Sequence, residues 1–367
     1  VPSRRKAELA RRRAEAAPAA AIARQRAEED AMRARVQQLI ARDDTRGEDL
    51  NIRSIAVNAL GNHAGTVVVM NPQTGRVYTI VNQEWGVHQG FKPCSTIKLV
   101  TSVAGLNEDV IDPANTAAIS NSNRVSLTQA LAYSKNGYFQ EVGGQMGLSK
   151  MISYARQLGL GSKSGINVSG EAAGAVPSLR HSGAVNRVFS HGDGFKVTPL
   201  QLAALASVFA TRGNVAVPFL PRNTVTTKAS PRRTVNVDSK VWQTMTPGMV
   251  GAVNYGSGRK AFNASVAIAG KTGTCIENGQ WVGLFTSFAP LSNPQYAIAV
   301  IARGSDGRNH FPALVAGRIY HALNDRIAPL PGSQMASTSR VTEESAIEAG
   351  DEIDEEEAGE ADDAEAA

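Results

Sequence analysis

Lys92-Pro93-Cys94-Ser95-Thr96-Ile97-Lys98-Leu99-Val100-Thr101-Ser102-Val103-Ala104-Gly105-Leu106 is the stretch from which the rest of this chain can be read. Apolar residues recur at helical spacing after Ile97, so Ser95 is expected at a helix start. One helical turn puts residues three apart on the same face, which sets the Lys98 amine beside the Ser95 hydroxyl. The partial positive charge at a helix N-terminus favours an alkoxide there and a neutral amine next to it. Ser-x-x-Lys is a weak motif by itself, because it also occurs at Ser3 to Lys6 and at Ser257 to Lys260, where nothing else supports a site.

Two further motifs give it company. Ser134-Lys135-Asn136 ends a helical stretch, Ser126-Leu127-Thr128-Gln129-Ala130-Leu131-Ala132-Tyr133, and supplies a hydroxyl that can pass a proton and an amide that can hold a substrate backbone. Lys271-Thr272-Gly273-Thr274 follows Ala264-Ser265-Val266-Ala267-Ile268-Ala269-Gly270, an alternating run that predicts a strand from about 264 to 275. Glycine at 273 lets a substrate approach that strand closely. A phosphate-binding loop ending in Gly270-Lys271-Thr272 would need glycine at position 265, which is Ser265. A serine nucleophile, a lysine beside it, a polar second side and a cationic strand make up an acyl-transfer site.

On these motifs the chain resembles the penicillin-binding transpeptidases, a serine acyltransferase family related to the class A and class D β-lactamases. The resemblance extends from about residue 51 to about 326. It takes in Val67-Val68-Val69-Met70-Asn71-Pro72-Gln73-Thr74-Gly75-Arg76-Val77-Tyr78, Gly170-Glu171-Ala172-Ala173-Gly174-Ala175-Val176-Pro177-Ser178, and His191-Gly192-Asp193-Gly194 leading to Val197-Thr198-Pro199-Leu200-Gln201-Leu202-Ala203. Trp281 to Pro290 is also similar. The resemblance implies that Ser95 is acylated, that Lys98 takes its proton and that Ser134 relays a proton to the leaving amine. Asn136 would hold a substrate amide, and Lys271, with the Thr272 and Thr274 hydroxyls, the terminal carboxylate of a D-alanyl-D-alanine stem peptide. The Ser95 and Thr274 N–H groups would form the oxyanion hole, worth typically about 3 to 4 kcal/mol of barrier. Taken singly, a lysine on a helix is ordinarily a solvated charge and a serine or threonine a cap or turn. Their shared order and flanking sequences favour the site.

The same resemblance gives the two cysteines a reading. Cys94 precedes the nucleophile and Cys275 follows Thr274, a placement similar to a disulfide of some carbapenem-hydrolysing class A β-lactamases. Two buried free thiols are the alternative; a domain acting outside the cytoplasm favours the disulfide. The six histidines and two cysteines show no ligand spacing, so neither metal nor organic cofactor is expected.

The order of elements predicts an α/β (α+β) fold. Strands near 65–71 and 75–82 form a hairpin; a helical block covers about 95–160; helices run from Thr198 through Ala210 and from Asp238 to about Val253. Strands near 264–275, 280–289 and 295–303 precede a final helix at about 311–324. This gives a five-stranded antiparallel sheet flanked by helices, with an all-helical lobe and the site at their junction.

Two appendages flank the domain at 51–330. Residues 1–50 are rich in Ala, Arg and Glu and read as a solvated helical stalk, broken near Pro18. A sharper role is a helix using Met32, Val36, Leu39 and Ile40 against another cell-wall synthesis protein. A nucleic-acid arm is disfavoured, since 13 basic residues through Arg53 alternate with 9 acidic ones. Residues 331–367 form a tail expected to be disordered: residues 341–367 hold 13 carboxylates and no Lys or Arg. The chain's 33 acidic residues fall to 20 without them, against 38 basic ones, which leaves residues 1–340 at +18. Such a body suits an anionic wall polymer or a membrane surface, although a solubilising tail is the simpler reading of the acidic end. No run reaches 18 apolar residues and the chain begins with Val1, so an anchor or export signal is expected upstream or removed, with an extracytoplasmic location.

A β-lactamase shares the acylation machinery but must deacylate with water. The class A Glu-x-x-Leu-Asn segment is absent from the sequence, whereas Lys98 offers a residue for the class D carboxylated-lysine route. The 176 residues from Ser95 to Lys271 are compact for a transpeptidase and keep that alternative open, as they do a β-lactam sensor or scaffold without turnover.

Overall fold

The computed structural model describes residues 2–112, 125–180, 184–222 and 232–327, with side chains from residue 20 onward except at 232 and 233. In chain order, α1 (Pro2–Ala41) and α2 (Leu50–Leu60) lead into a hairpin of β1 (Gly65–Met70) and β2 (Val77–Val81). A helical region follows: α3 (Lys98–Asn107), α4 (Leu127–Ala132), α5 (Asn136–Met146), α6 (Leu148–Gln157), α7 (Val185–Ser190) and α8 (Pro199–Ala210). A short pair, β3 (Asn214–Ala216) and β4 (Arg232–Thr234), precedes α9 (Ser239–Asn254). The chain then closes the main sheet with β5 (Ala269–Glu277), β6 (Gln280–Ala289) and β7 (Tyr296–Arg303), covered by α10 (Phe311–Ala322).

The main sheet is antiparallel throughout, in the order β2-β1-β7-β6-β5, which leaves β2 and β5 as its edge strands. Strand periodicity divides its side chains between two cores. Val68, Met70, Ala297, Ala299 and Ile301 pack with α3 to α9, whereas Val67, Val69, Ile298 and Val300 pack with α2 and α10. Because both faces are covered, the strands are almost continuously buried.

Local signals explain the helix boundaries. Thr198 and Gln201 form a reciprocal capping box with Pro199 in the first turn of α8, and Ser126 with Gln129 does the same for α4. The Asp238 carboxylate accepts from the Lys240 N–H at the start of α9. The strand expected from 264 begins instead at Ala269, because the Asn263 side chain accepts the Ser265 N–H and turns the chain there, although Val266 and Ile268 are buried as their pattern implied. The helical block is several short helices rather than one run, and Ser95 lies in a 3-10 turn, Cys94–Ile97, that feeds α3.

Helix α1 departs from expectation. It continues through Pro18 without a break. From Glu29 onward it lies against the body. Val36 is 1% exposed, and Met32, Leu39 and Ile40 pack on the core, so the apolar residues that suggested a partner helix are engaged within the chain. Arg33 donates to both oxygens of Asp306, at 2.8 and 3.0 Å, and that carboxylate also accepts the Ala64 N–H and contacts His63 Nδ1. These bonds hold the Asp306 carboxyl below its ordinary range despite desolvation. The acidic tail lies outside the described residues.

Val36→Ala removes two methyl groups from this contact and is expected to cost about 2 kcal/mol in urea unfolding. Ile22→Ala, at an exposed position of the same helix, should stay within about 0.5 kcal/mol. Equal effects of the two would show that α1 does not rely on the docked half.

Candidate active site

Ser95, Lys98, Ser134, Asn136 and Lys271 come together between the sheet edge and the helical lobe, all buried. Ser95 is carried by the turn ahead of α3, and Lys98 is the first residue of that helix. Ser134 follows the C-cap of α4 with φ 57°, a left-handed conformation that a non-glycine residue adopts at a cost of roughly 1 to 3 kcal/mol. The Lys135 N–H donates to the Ala130 carbonyl and fixes this turn, and Asn136 opens α5 immediately after it. Cys94, just before the nucleophile, is also left-handed, with φ 46°.

Four oxygens surround the Lys98 Nζ: Ser95 Oγ at 2.9 Å, Ser134 Oγ at 2.9 Å, the Ser134 carbonyl at 2.5 Å and Asn136 Oδ1 at 2.6 Å. The Phe139 ring lies 5.6 Å away. The two carbonyl oxygens can only accept. In its deprotonated form the amine can satisfy them with its two N–H bonds and turn its lone pair toward a hydroxyl, which is the arrangement a general base needs. Lys271 Nζ donates to Ser134 Oγ at 2.8 Å and to the Thr272 carbonyl at 3.1 Å. Ser134 Oγ therefore stands between two lysine nitrogens, and a hydrogen-bonded chain runs Ser95–Lys98–Ser134–Lys271.

The strand closes in on the nucleophile through Gly273. A Cβ there would lie 3.0 Å from the Pro93 carbonyl oxygen and 3.2 Å from the Ser95 nitrogen, so only glycine leaves that N–H clear. The threonines on either side differ. Thr272 Oγ1 is bonded to Ser257 Oγ at 2.6 Å, whereas Thr274 Oγ1 is buried with no hydrogen-bond partner among the described residues. Cys94 and Cys275 are joined by a disulfide, with their Cα atoms 5.7 Å apart.

Supporting residues ring this cluster. Lys92, Asp193 and Arg187 form an ion-paired group, with Lys92 Nζ 2.6 Å and Arg187 Nε 3.1 Å from the Asp193 carboxylate. Glu277, at the end of the substrate strand, accepts the Lys92 N–H and pairs with Lys196. His191 is buried beside them, its Nδ1 2.7 Å from Ser190 Oγ. Desolvation first, then the positive charges of Lys98 and Arg187, push its pKa down to about 3. Glu171 is turned away to a structural task, accepting the Ser164 and Gly165 N–H groups at 2.6 and 3.1 Å.

Sequence reasoning missed Ser257 and His191. Ser257 belongs to a Ser-x-x-Lys set that carried no signal, and only the approach of the α9 end to β5 reveals its bond. His191 stood within a quoted segment, but nothing in its neighbours showed that it would be buried near Lys98.

Two outcomes follow. A histidine held neutral in the fold but protonated in the unfolded chain contributes stability that is complete above its unfolded pKa of about 6.5 and falls with acidification toward 3. Between pH 6.5 and 5 the wild type should lose up to about 1.4 kcal/mol per pH unit through this group; His191→Gln should flatten that slope in chemical denaturation, and an unchanged slope would exclude it. Reduction of the disulfide, which closes a loop of 181 residues, should lower unfolding free energy by roughly 5 kcal/mol in the chain-entropy model, measured as a shift in urea midpoint against the oxidised protein.

Comparison with known proteins agrees with this geometry. The chain is 27% identical over 354 residues to the peptidoglycan D,D-transpeptidase MrdA of Acinetobacter baumannii, covering 72% of this chain and 52% of that protein. It is 24% identical over 304 residues to the stage V sporulation protein D of Bacillus subtilis, covering 69% and 47% respectively. The chain thus spans about half the length of these relatives. Among solved structures, the apo transpeptidase domain of Burkholderia pseudomallei penicillin-binding protein 3 superposes with a TM-score of 0.67 at 19% identity, over 78% of this chain and 98% of that one. Pseudomonas aeruginosa PBP2 in complex with WCK 5153 also superposes at 0.67, with 22% identity, over 80% of this chain and 78% of that one. The family model of the penicillin binding protein transpeptidase domain matches residues 65–325, and the chain belongs to that family.

Proposed function

We propose that this protein is a peptidoglycan D,D-transpeptidase that forms an acyl-enzyme on Ser95 and is acylated there by β-lactams. The observation that carries this reading is the Lys98 nitrogen within 2.9 Å of both Ser95 Oγ and Ser134 Oγ. Lys98 takes the Ser95 proton as Oγ bonds to the carbonyl carbon of the penultimate D-alanine. The resulting oxyanion accepts from the Ser95 and Thr274 N–H groups. On collapse the C–N bond to the terminal D-alanine breaks, Ser134 gives its proton to the leaving amine, and the Lys98 ammonium reprotonates Ser134. An acceptor amine then reverses these steps and leaves a cross-linked peptide with a free Ser95. Lys271 and the Thr274 hydroxyl attract the terminal carboxylate; Thr272, bonded to Ser257, braces the strand. With Asn136 Oδ1 on Lys98, its amide nitrogen is the group that holds the substrate backbone.

The β-lactamase alternative is disfavoured on two counts. Glu171 is engaged with backbone N–H groups and is not available as a class A base. A carboxylated Lys98 would keep one N–H against two carbonyl acceptors at 2.5 and 2.6 Å, leaving one of them opposed to a nitrogen with nothing to donate. A carboxypeptidase or a sensor remains compatible with the same acyl-enzyme.

Residues 51–330 are proposed as the transpeptidase unit, with residues 1–50 a helical arm whose second half is docked on it. Among the described residues no helix is long and apolar enough to cross a membrane. The wall-directed chemistry supports a location outside the cytoplasm and stem peptides and β-lactams as ligands.

Intact mass followed over hours with a penicillin, and peptide mapping of the adduct, tests this reading. A lasting adduct on Ser95 is expected. Ser95→Ala should abolish it, Lys98→Ala should slow its formation by about 10²- to 10⁴-fold, and Lys271→Ala should raise the drug concentration needed by roughly 10- to 100-fold. Fast drug loss with no lasting adduct would mean a β-lactamase, and wild-type labelling of Ser95→Ala would overturn the assignment.

A further inference from the structure

Helix α9 ends in a turn, Tyr255-Gly256-Ser257-Gly258, that takes no part in the acyl-transfer steps described above. Glycines bring this segment close to α4. A Cβ at Gly248 would lie 2.8 Å from Leu131 Cβ, and one at Gly256 would lie 2.1 Å from the Ala132 carbonyl oxygen, so the approach to the end of α4 is one that only glycine allows. The turn is also fixed on its own side. The Gly256 and Gly258 N–H groups donate to the Gly251 and Ala252 carbonyls at 3.0 and 2.8 Å.

From this turn Ser257 reaches both halves of the proton relay. Its backbone N–H donates at 3.0 Å to the carbonyl of Ala132, two residues before Ser134. Its Oγ lies 2.6 Å from the Oγ1 of Thr272, the residue after Lys271. Ser257 and Thr272 are each 2% exposed and Ala132 is 0% exposed, so water does not replace either bond. Successive side chains leave a strand on opposite sides, and a bond that fixes Thr272 therefore fixes the rotation of β5 about its own axis. That rotation aims Lys271 Nζ at Ser134 Oγ, 2.8 Å away. As an edge strand β5 is laddered only to β6, and the disulfide restrains it further along, at Cys275. Ser257 restrains it next to Lys271.

We propose that Ser257 is a positioning residue for the relay: it ties the end of α4 to β5 and so sets the separation of Ser134 Oγ from Lys271 Nζ. This rests on the acyl-transfer reading above and adds to it a residue that acts through Thr272 and the α4 end. The same bond also satisfies two buried hydroxyls, a task whose loss lowers stability alone. Positioning has a different signature. When Ser134 and Lys271 drift apart, proton transfer through Ser134 slows and the first-order step of acylation falls with it. Capture of the carboxylate depends on the Lys271 charge more than on its fine placement, and changes little.

The test is the rate of Ser95 labelling by benzylpenicillin against drug concentration, read by quenched intact mass on the full chain for wild type, Ser257→Ala, Thr272→Val and the double variant. The plateau gives the first-order acylation rate, and the half-saturating concentration reports capture. The final labelled fraction counts folded enzyme, so partial unfolding lowers the amplitude and not the rate. In Ser257→Ala the plateau is expected to fall about tenfold, with the half-saturating concentration within about threefold of wild type. The double variant should be no slower than the slower single variant, because both substitutions break one bond. An unchanged plateau, a loss confined to the half-saturating concentration, or losses that multiply in the double variant would each overturn the proposal. A wild type that is not labelled on Ser95 would overturn the acyl-transfer reading and this role with it, whereas a labelled wild type with an unchanged variant would overturn the Ser257 role alone. Should Ser257→Ala not fold, Thr272→Val breaks the same bond from the strand side, and its plateau decides in its place.

Discussion

A lysine nitrogen taken wholly out of water must be met by oxygens, and at Lys98 four of them arrive from three residues on two separate pieces of chain. Ser95 comes from the turn ahead of α3, the Ser134 hydroxyl and carbonyl from a strained link between α4 and α5, and Asn136 from the first residue of α5. The left-handed backbone at Ser134 is what lets one residue offer both its side chain and its carbonyl to the same amine. The strain is local, and the bonds it makes possible are buried and mutually reinforcing, so the network offsets it.

The second constraint is that the edge strand must lie against this cluster without filling it. Gly273 leaves room at the Ser95 N–H, and the Cys94–Cys275 bridge ties the two chain segments on either side of that gap. Glu277 bonds to the Lys92 backbone one step further out, and Lys92 in turn holds Asp193. The nucleophile is therefore fixed from three directions by a covalent bond, a close backbone approach and an ion-paired loop. Positioning of this kind removes the reorganisation that an acyl transfer would otherwise require.

Much of this was legible in sequence because the governing signals are short-range. The Ser126 and Thr198 caps, the Asp238 start and the alternation of β6 and β7 lie within a few residues of what they control. The three motifs also name side chains whose chemistry implies a common site. What could not be read depends on contacts between distant segments. Nothing near Val36 says that its helix is docked, since the amphipathic signal of a partner helix and of an intramolecular one is identical. The Asn263 turn displaced a strand start because one side-chain bond outcompeted an otherwise good β pattern. The Ser257–Thr272 bond likewise joins residues 15 apart through the end of a helix.

The relay also bears on what happens to the acyl-enzyme. In the proposed mechanism the chain from Ser95 through Lys98 to Ser134 gives a proton to the departing amine. By microscopic reversibility the same chain accepts a proton from an amine that enters where the first one left. Cross-linking therefore needs no further base. A class A-type hydrolysis would instead draw on a carboxylate placed to activate water. Glu171, the acidic residue of the mid-domain loop, is occupied with the Ser164 and Gly165 N–H groups, and its distribution of bonds leaves it to shape the loop. In the proposed mechanism the geometry thus provides a pre-formed path for one proton in both directions between the nucleophile and the amine site.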